Sequence, residues 1–216
     1  MKRVGCPLCK GPDGYRFLRD DVRDFYQCAE CRLVYVSPEQ FLSAEAEKNR
    51  YDLHRNSLKD AGYRAYLSRL LNPVLERISP ASRGLEFGCG PEAVLAALFR
   101  NAGHVVDTFD VFYRPEESVF QDRYDFITAT EVVEHLRDPS HELERLWSCL
   151  NPGGILGIMT QWIVPAEAFS TWHYKNDPTH ICFYSTETFI WLARQWGAEL
   201  VFPERDVVLF LKKEQV

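Results

Sequence analysis

The stretch Leu85-Glu86-Phe87-Gly88-Cys89-Gly90-Pro91 constrains the fold more than any other part of the chain. A short apolar run carrying one carboxylate breaks into two glycines. A helical pattern follows at once, with Val94, Leu95, Leu98 and Phe99 on one face of a 3.6-residue period. A strand that turns through glycine into a helix lets the backbone approach a nucleotide-like ligand at a helix N-terminus. Glycine suits the turn because it has no Cβ to block the ligand and tolerates positive φ. The same pattern also occurs in ordinary strand-to-helix turns, so its meaning rests on the segments downstream.

Those segments alternate. Residues 83–87 read as a strand and 92–102 as a helix ended by Gly103. Residues 105–109 read as a strand ending at Asp110, and 124–128 as another. Asp138-Pro139 caps and starts a helix. Asn151-Pro152-Gly153-Gly154 reads as a turn before a strand over 155–160. Ser185 caps a helix closed by Gly197, and residues 200–202 and 207–211 form a closing hairpin. This alternation predicts an α/β fold with a parallel sheet covered on both faces. Ligands of such sheets lie beyond the carboxyl ends of the strands. Asp110, 20 residues past Gly90, is placed either to accept ribose hydroxyls or to cap its own turn.

The N-terminal segment obeys other rules. Cys6-Pro7-Leu8-Cys9 and Cys28-Ala29-Glu30-Cys31 are separated by 18 residues. Two CxxC pairs at this spacing match a four-thiolate structural zinc site on Cys6, Cys9, Cys28 and Cys31; redox pairs or free thiols are the alternative. So short a ribbon lacks a core of its own, and the metal would supply its folding energy. The other three cysteines, Cys89, Cys149 and Cys182, stand in core-like contexts. The chain divides into a ribbon over 1–36, a helical linker or cap over 37–80, with Pro38 at a helix start and Pro73 at a kink or break, and a cofactor domain over 81–216. The aromatic residues of the linker are core, or a wall over a pocket.

Residues 1–80 carry 14 Lys/Arg against 11 Asp/Glu, leaving 11 against 20 for residues 81–216. The acidic second part is a poor match to a nucleic acid backbone. No apolar run reaches 18 residues and the first residues have no signal-peptide core, so a cytoplasmic protein without a membrane partner is expected.

Residues Tyr124 to Leu136, followed by Asp138-Pro139, closely resemble the fourth-strand motif of class I S-adenosylmethionine (SAM) methyltransferases. Leu150-Asn151-Pro152-Gly153-Gly154 resembles the motif before their fifth strand, and the glycine turn resembles their first motif. The paired CxxC motifs are similar to the zinc ribbon of one bacterial subset of these enzymes. The resemblance implies a Rossmann-like sheet and assigns roles by position. Glu86, Gly88 and Gly90 would border the methionine part of SAM, Asp110 would bind the ribose, Val111 and Phe112 would lie beside the adenine, and Thr130 and Glu131 near the sulfonium. Two departures stand out. Pro91 and Glu92 follow Gly90 where a third glycine is frequent. Only 14 residues separate Asp110 from Asp125, too few for a full helix and third strand; Val119-Phe120 would be a stub of that strand, and Asp122 a weak substitute for an adenine-binding acid.

The insert from Gln161 to Tyr184 would hang over the methyl group. It holds Trp162, Phe169, Trp172, Tyr174, Phe183 and Tyr184, with His173 and His180. It reads either as a lid packed on itself or as a substrate pocket with a base. His180, with Asp177 to orient it, is the candidate base, and His135 reads as scaffold or pocket wall. The expected activity is O- or N-methylation of a small molecule. The competing readings are an RNA or protein methyltransferase that docks through the ribbon, and a non-catalytic SAM-binding adaptor.

Overall fold

The computed structural model describes residues 4–53 and 56–214. At the N-terminus, β1 (Gly14–Arg19), β2 (Asp24–Cys28) and β3 (Val34–Val36) form an antiparallel meander. A 3-10 turn at Pro38–Gln40 precedes α1 (Ala44–Tyr51) and α2 (Ala61–Leu75). Side chains cap both helices: Ser43 accepts from the Ala46 amide and Asp60 from the Tyr63 amide. Pro73 neither breaks α2 nor starts a new element. It stands in the last turn, so the helix goes on for only two residues beyond the backbone hydrogen bond that it cannot donate.

Strands and helices then alternate: β4 (Arg83–Phe87), α3 (Val94–Asn101), β5 (Val105–Phe109), β6 (Tyr124–Thr130), α4 (Pro139–Ser148) and β7 (Leu150–Met159). The insert carries α5 (Ala166–Phe169), a 3-10 turn at His173–Asn176 and β8 (Cys182–Phe183). The chain continues through α6 (Thr186–Trp196) to the hairpin of β9 (Glu199–Glu204) and β10 (Val207–Leu211). The larger sheet has the order β5-β4-β6-β7-β10-β9. Its first four strands are parallel, while β10 runs antiparallel to β7 and β9 to β10. The mixed sheet, covered by helices on both faces, is the Rossmann-like fold that the motifs imply.

Side chains alternate across this sheet with period two. Leu85, Phe87, Ile127, Leu156, Ile158, Val208 and Phe210 face α4, α6 and the N-terminal meander. Phe126, Ile155, Val207 and Leu209 face α2 and α3, where they meet Leu67, Leu70, Val74, Val94 and Phe99. Burial on both faces explains why these strands read as nearly continuous apolar runs.

Two expectations change. Asn151–Gly154 does not leave the sheet as a turn. Gly153, at φ 78°, bulges within β7, and backbone hydrogen bonds with Lys212 hold it there. No third strand lies between β5 and β6: residues Glu117–Gln121 make a 3-10 turn, and β5 is the edge of the sheet. Phe120 closes that edge by packing against Phe109 and Phe87, under the guanidinium of Arg145.

The smaller sheet joins distant parts of the chain. Val34 pairs with Phe183 and Tyr35 with Cys182, giving the order β1-β2-β3-β8. The aromatic residues of the insert pack on one another, as Phe169, Trp172, Tyr174 and Phe183 do, and the cluster they form also packs on the ribbon. Phe169 makes edge-to-face contacts with Phe17, Phe25 and Phe183, at centroid distances of 5.1, 5.1 and 5.6 Å. Trp162 instead meets Phe189 and Phe202.

Candidate functional site

At the carboxyl ends of β4, β5 and β6, the glycine turn is tied down from two sides. Glu86 is buried and its Oε2 accepts from the Ala96 amide at 2.8 Å. That bond matters because the residue before α3, Ala93, offers no side-chain cap and has a left-handed backbone. A carboxyl oxygen from β4 does the work of an N-cap at the start of the helix. Burial pushes the Glu86 carboxyl up to about 8. Asp110, 9% exposed, accepts from the Gly90 amide through Oδ2 (2.9 Å) and from the Phe112 and Tyr113 amides through Oδ1 (2.9 and 3.2 Å). It caps its own turn and binds the glycine turn to it.

The two glycines have different surroundings. A Cβ on Gly88 would run into the isopropyl group of Val132, so this glycine (φ 72°) is required by the protein itself. A Cβ on Gly90 (φ 62°) would meet nothing within 4 Å. The open cradle thus lies at Gly90. Val111 is 66% exposed, and Phe112 lies against Tyr51. At the end of β6, Thr130 Oγ1 and Glu131 Oε1 are buried with no hydrogen-bond partner. Glu131 also holds a left-handed backbone (φ 52°), a strained conformation for a side chain with a Cβ. An open glycine cradle beside unpartnered buried oxygens fits a polar, nucleoside-bearing ligand such as SAM. Tyr66 of α2 faces Glu131, which together with burial raises its phenol, so α2 supplies an aromatic wall here. Asp122 lies at the other end of the sheet, paired with Arg83 at 2.7 Å, and cannot serve as an adenine acid.

Behind Glu131 the 3-10 turn Val133–His135 presents two more groups. Glu134 is fully buried. Thr160 donates to its Oε2 at 2.9 Å and the Tyr174 hydroxyl to its Oε1 at 2.5 Å. The same hydroxyl is 3.2 Å from Glu131 Oε2. Burial pushes both carboxyls up, and their mutual repulsion adds to the effect at Glu131. His135 Nδ1 is 3.0 Å from the Thr179 carbonyl, and His180 Nδ1 is 2.7 Å from that of Tyr174. The two rings meet edge to face at 4.7 Å. Burial drives His135 down and His180 down to about 3. The Asp177 carboxylate does not hold the His180 ring as the sequence suggests; the two residues are joined only through the backbone, His180 N–H donating to the Asp177 carbonyl at 3.1 Å. The carboxylate takes the Thr179 amide and hydroxyl and the Arg50 guanidinium. A backbone carbonyl orients His180 instead.

The four ribbon cysteines converge. Cys6 and Cys31 sulfurs lie 3.5 Å apart and Cys9 and Cys28 sulfurs 3.4 Å apart, with all four within 4.8 Å of one another. Zn–S bonds of about 2.3 Å in a tetrahedron put sulfurs roughly 3.8 Å apart, so the donor set fits zinc. The two knuckles share a backbone detail: Lys10 and Arg32, each following the second cysteine of its pair, have φ of 60° and 63°.

Sequence reasoning passed over Glu134, read His135 only as scaffold or pocket wall, and took Tyr174 only as one of the insert's aromatic residues. The spacing Glu131-Val132-Val133-Glu134-His135 could have revealed the first two, because a single turn puts positions three and four apart on one side.

The family model described as Methyltransferase domain matches residues 60–201. Among solved structures, 1,6-didemethyltoxoflavin-N1-methyltransferase from Burkholderia thailandensis, with 1,6-didemethyltoxoflavin and S-adenosylhomocysteine bound, has a TM-score of 0.55 at 14% identity, covering 94% of this chain and 100% of that one. An O-methyltransferase family protein from the same organism has a TM-score of 0.53 at 13% identity, covering 78% of this chain and 63% of that one. No functionally curated protein matches the chain at a significant level.

Proposed function

Because the chain belongs to the methyltransferase-domain family and is a SAM-dependent methyltransferase, we propose that it holds SAM between the glycine turn and the end of β6 and methylates a small molecule. The observation that carries this placement is the open face of Gly90 next to the buried, unpartnered oxygens of Thr130 and Glu131. Gly88 and Glu86 shape the turn from beneath. Asp110 Oδ2 accepts one amide hydrogen, and a carboxylate oxygen has a second lone pair for a ribose hydroxyl. Val111 and Phe112 offer apolar surface for the adenine, in the gap left by the missing third strand.

When bound, SAM supplies an activated methyl group, so the chain must position the acceptor and accommodate its proton. His180 offers a neutral imidazole, but burial leaves it too weak a base to retain that proton. Glu131, whose carboxyl is raised by burial, is the better-matched acceptor, and the Tyr174 hydroxyl lies beside it. The acidic cofactor domain favours a small acceptor over RNA. The neighbour with 1,6-didemethyltoxoflavin bound is consistent with that reading. The four cysteines hold a structural zinc; a closed four-sulfur shell has no position for chemistry.

Calorimetry with S-adenosylhomocysteine tests the placement. Asp110→Ala should weaken binding by about 1–3 kcal/mol, the cost of buried polar groups left unpaired, and Gly90→Val should weaken it further by filling the cradle. Unchanged affinity in both variants would overturn it. Labelled SAM with a metabolite extract, an RNA pool and a protein extract then identifies the acceptor class. Label appearing only in RNA or protein would refute a small-molecule acceptor.

A further inference from the structure

Glu134, His135 and His180 each bring one potential ligand atom to within 4.8 Å of the others, well away in sequence from the ribbon cysteines. In both histidines Nδ1–H is engaged by a backbone carbonyl, of Thr179 and of Tyr174. That fixes the tautomer and leaves two Nε2 lone pairs, the outer-sphere arrangement seen behind metal-binding imidazoles. His135 Nε2 lies 3.8 Å from Glu134 Oε1. Among the described residues neither Glu131 nor Glu134 forms an ion pair with Lys or Arg. The nearby cations are turned elsewhere: Lys175 pairs with Asp20, Arg50 with Asp177, and Arg23 donates to the carbonyls of His180 and Lys175. Glu131 Oε1, buried without a partner, is the second sign of a missing ligand, and its other oxygen shares the Tyr174 hydroxyl with Glu134. Buried carboxylates without a counter-charge are costly, and a doubly charged ion beside them removes that cost.

We propose that Glu134, His135 and His180 bind a divalent first-row transition ion, with Glu131 on its open side. Two imidazoles and a carboxylate suit Mn²⁺, Fe²⁺ or Zn²⁺ and disfavour the all-oxygen preference of Ca²⁺. Metal–ligand bonds of about 2.1 Å need donors roughly 3–3.5 Å apart, so small side-chain rotations close the site. The open side faces the end of β6, where an acceptor oxygen could complete the coordination and lose its proton more easily. That last clause rests on the proposed methyl transfer; the metal site does not.

The test is a Mn²⁺ titration of the full-length, zinc-loaded protein followed by electron paramagnetic resonance. One Mn²⁺ per chain should bind, with pulsed spectra showing nitrogen coupling from two imidazoles. His180→Ala and Glu134→Gln should weaken binding at least tenfold, and His180→Ala should remove one of the two couplings. His135→Gln, whose amide can still donate to the Thr179 carbonyl, gives a third variant should either of the others fail to fold. Only free Mn²⁺ in the wild type up to millimolar concentration, or bound Mn²⁺ without nitrogen coupling, overturns the site, as does equal affinity in the folded variants. Normal binding of S-adenosylhomocysteine in the same sample would show that this proposal alone had failed.

Discussion

The six-stranded and four-stranded sheets share one apolar core but are held together differently. In the larger, strands such as Val207–Phe210 are buried on both faces by helices, and hydrophobic burial at about 25 cal/mol per Å² does most of the work. The smaller has short strands, one of them only two residues long and supplied by the insert. Its stability rests on point attachments. Four cysteines gather at one end. At the other, Arg23 donates to the His180 carbonyl at 2.9 Å and Lys175 pairs with Asp20 at 2.8 Å. The larger sheet presents Glu131, Glu134 and His135, while the smaller sheet fixes the segment that presents His180 and Tyr174. The candidate site is thus a seam between a part that folds by burial and a part that depends on a few strong contacts.

The sharpest way to separate them is Cys28→Ser. Opening a four-thiolate shell forfeits most of a metal contribution that is about 10–16 kcal/mol in isolated zinc domains. Expected are loss of bound zinc and loss of amide-exchange protection over β1, β2, β3 and β8, with the strands of the larger sheet still protected. S-adenosylhomocysteine should still bind, because the glycine turn belongs to the larger sheet. Full protection of β8 in zinc-free protein would mean that the two sheets do not differ in this way.

The same contrast explains what could be read from sequence. The larger sheet announces itself because apolar period, helix caps and glycines are local signals: Asp138 and Ser185 cap as expected and Gly197 closes α6. Local reading fails where tertiary contacts override it. Asn151–Gly154 has the composition of a turn, yet Lys212 from the far end of the chain keeps it in the sheet. Asp177 is three positions before His180 in sequence, but Arg50 from the linker claims its carboxylate. The pairing of β3 with β8 leaves no mark on either segment, since two residues of strand have no period. At the site, the glycine turn and Asp110 were legible as a motif. The pair of histidines was not, because it is assembled from two elements that meet only in the folded chain.

A second test lies inside the larger sheet and works through pH. Folding raises the Glu86 carboxyl from an ordinary 4.5 to about 8, through burial. The folded state therefore binds this proton more tightly than the unfolded state. The associated stability is complete below about pH 4.5 and is lost as pH rises toward 8. At about 1.4 kcal/mol per unit, the effect is on the order of 4–5 kcal/mol at most. Glu86→Gln keeps an oxygen to accept from Ala96 but does not ionise, so its urea-unfolding free energy should fall less between pH 5 and pH 8.5 than that of the wild type. Glu131 and Glu134 titrate in the same direction, so some slope remains. An identical slope in both proteins would mean that Glu86 is already charged, and that the base of the glycine turn is better hydrated than its burial implies.

The smallest expected effect belongs to Asp122, and a small effect is what makes it decisive. Its carboxylate pairs with Arg83 at the start of β4, while the cofactor region lies at the end of that strand. Both side chains are well exposed, so the pair contributes only about 0–1 kcal/mol, and Arg83 keeps Asp107 as a second partner at 2.7 Å. Asp122→Ala should therefore shift the unfolding free energy by less than about 1 kcal/mol and leave the affinity for S-adenosylhomocysteine unchanged. Asp110→Ala, in the same titration, should weaken it. A loss of affinity in Asp122→Ala as large as that in Asp110→Ala would mean that the short segment between β5 and β6 rearranges around the adenine and carries this acid to the opposite end of the sheet.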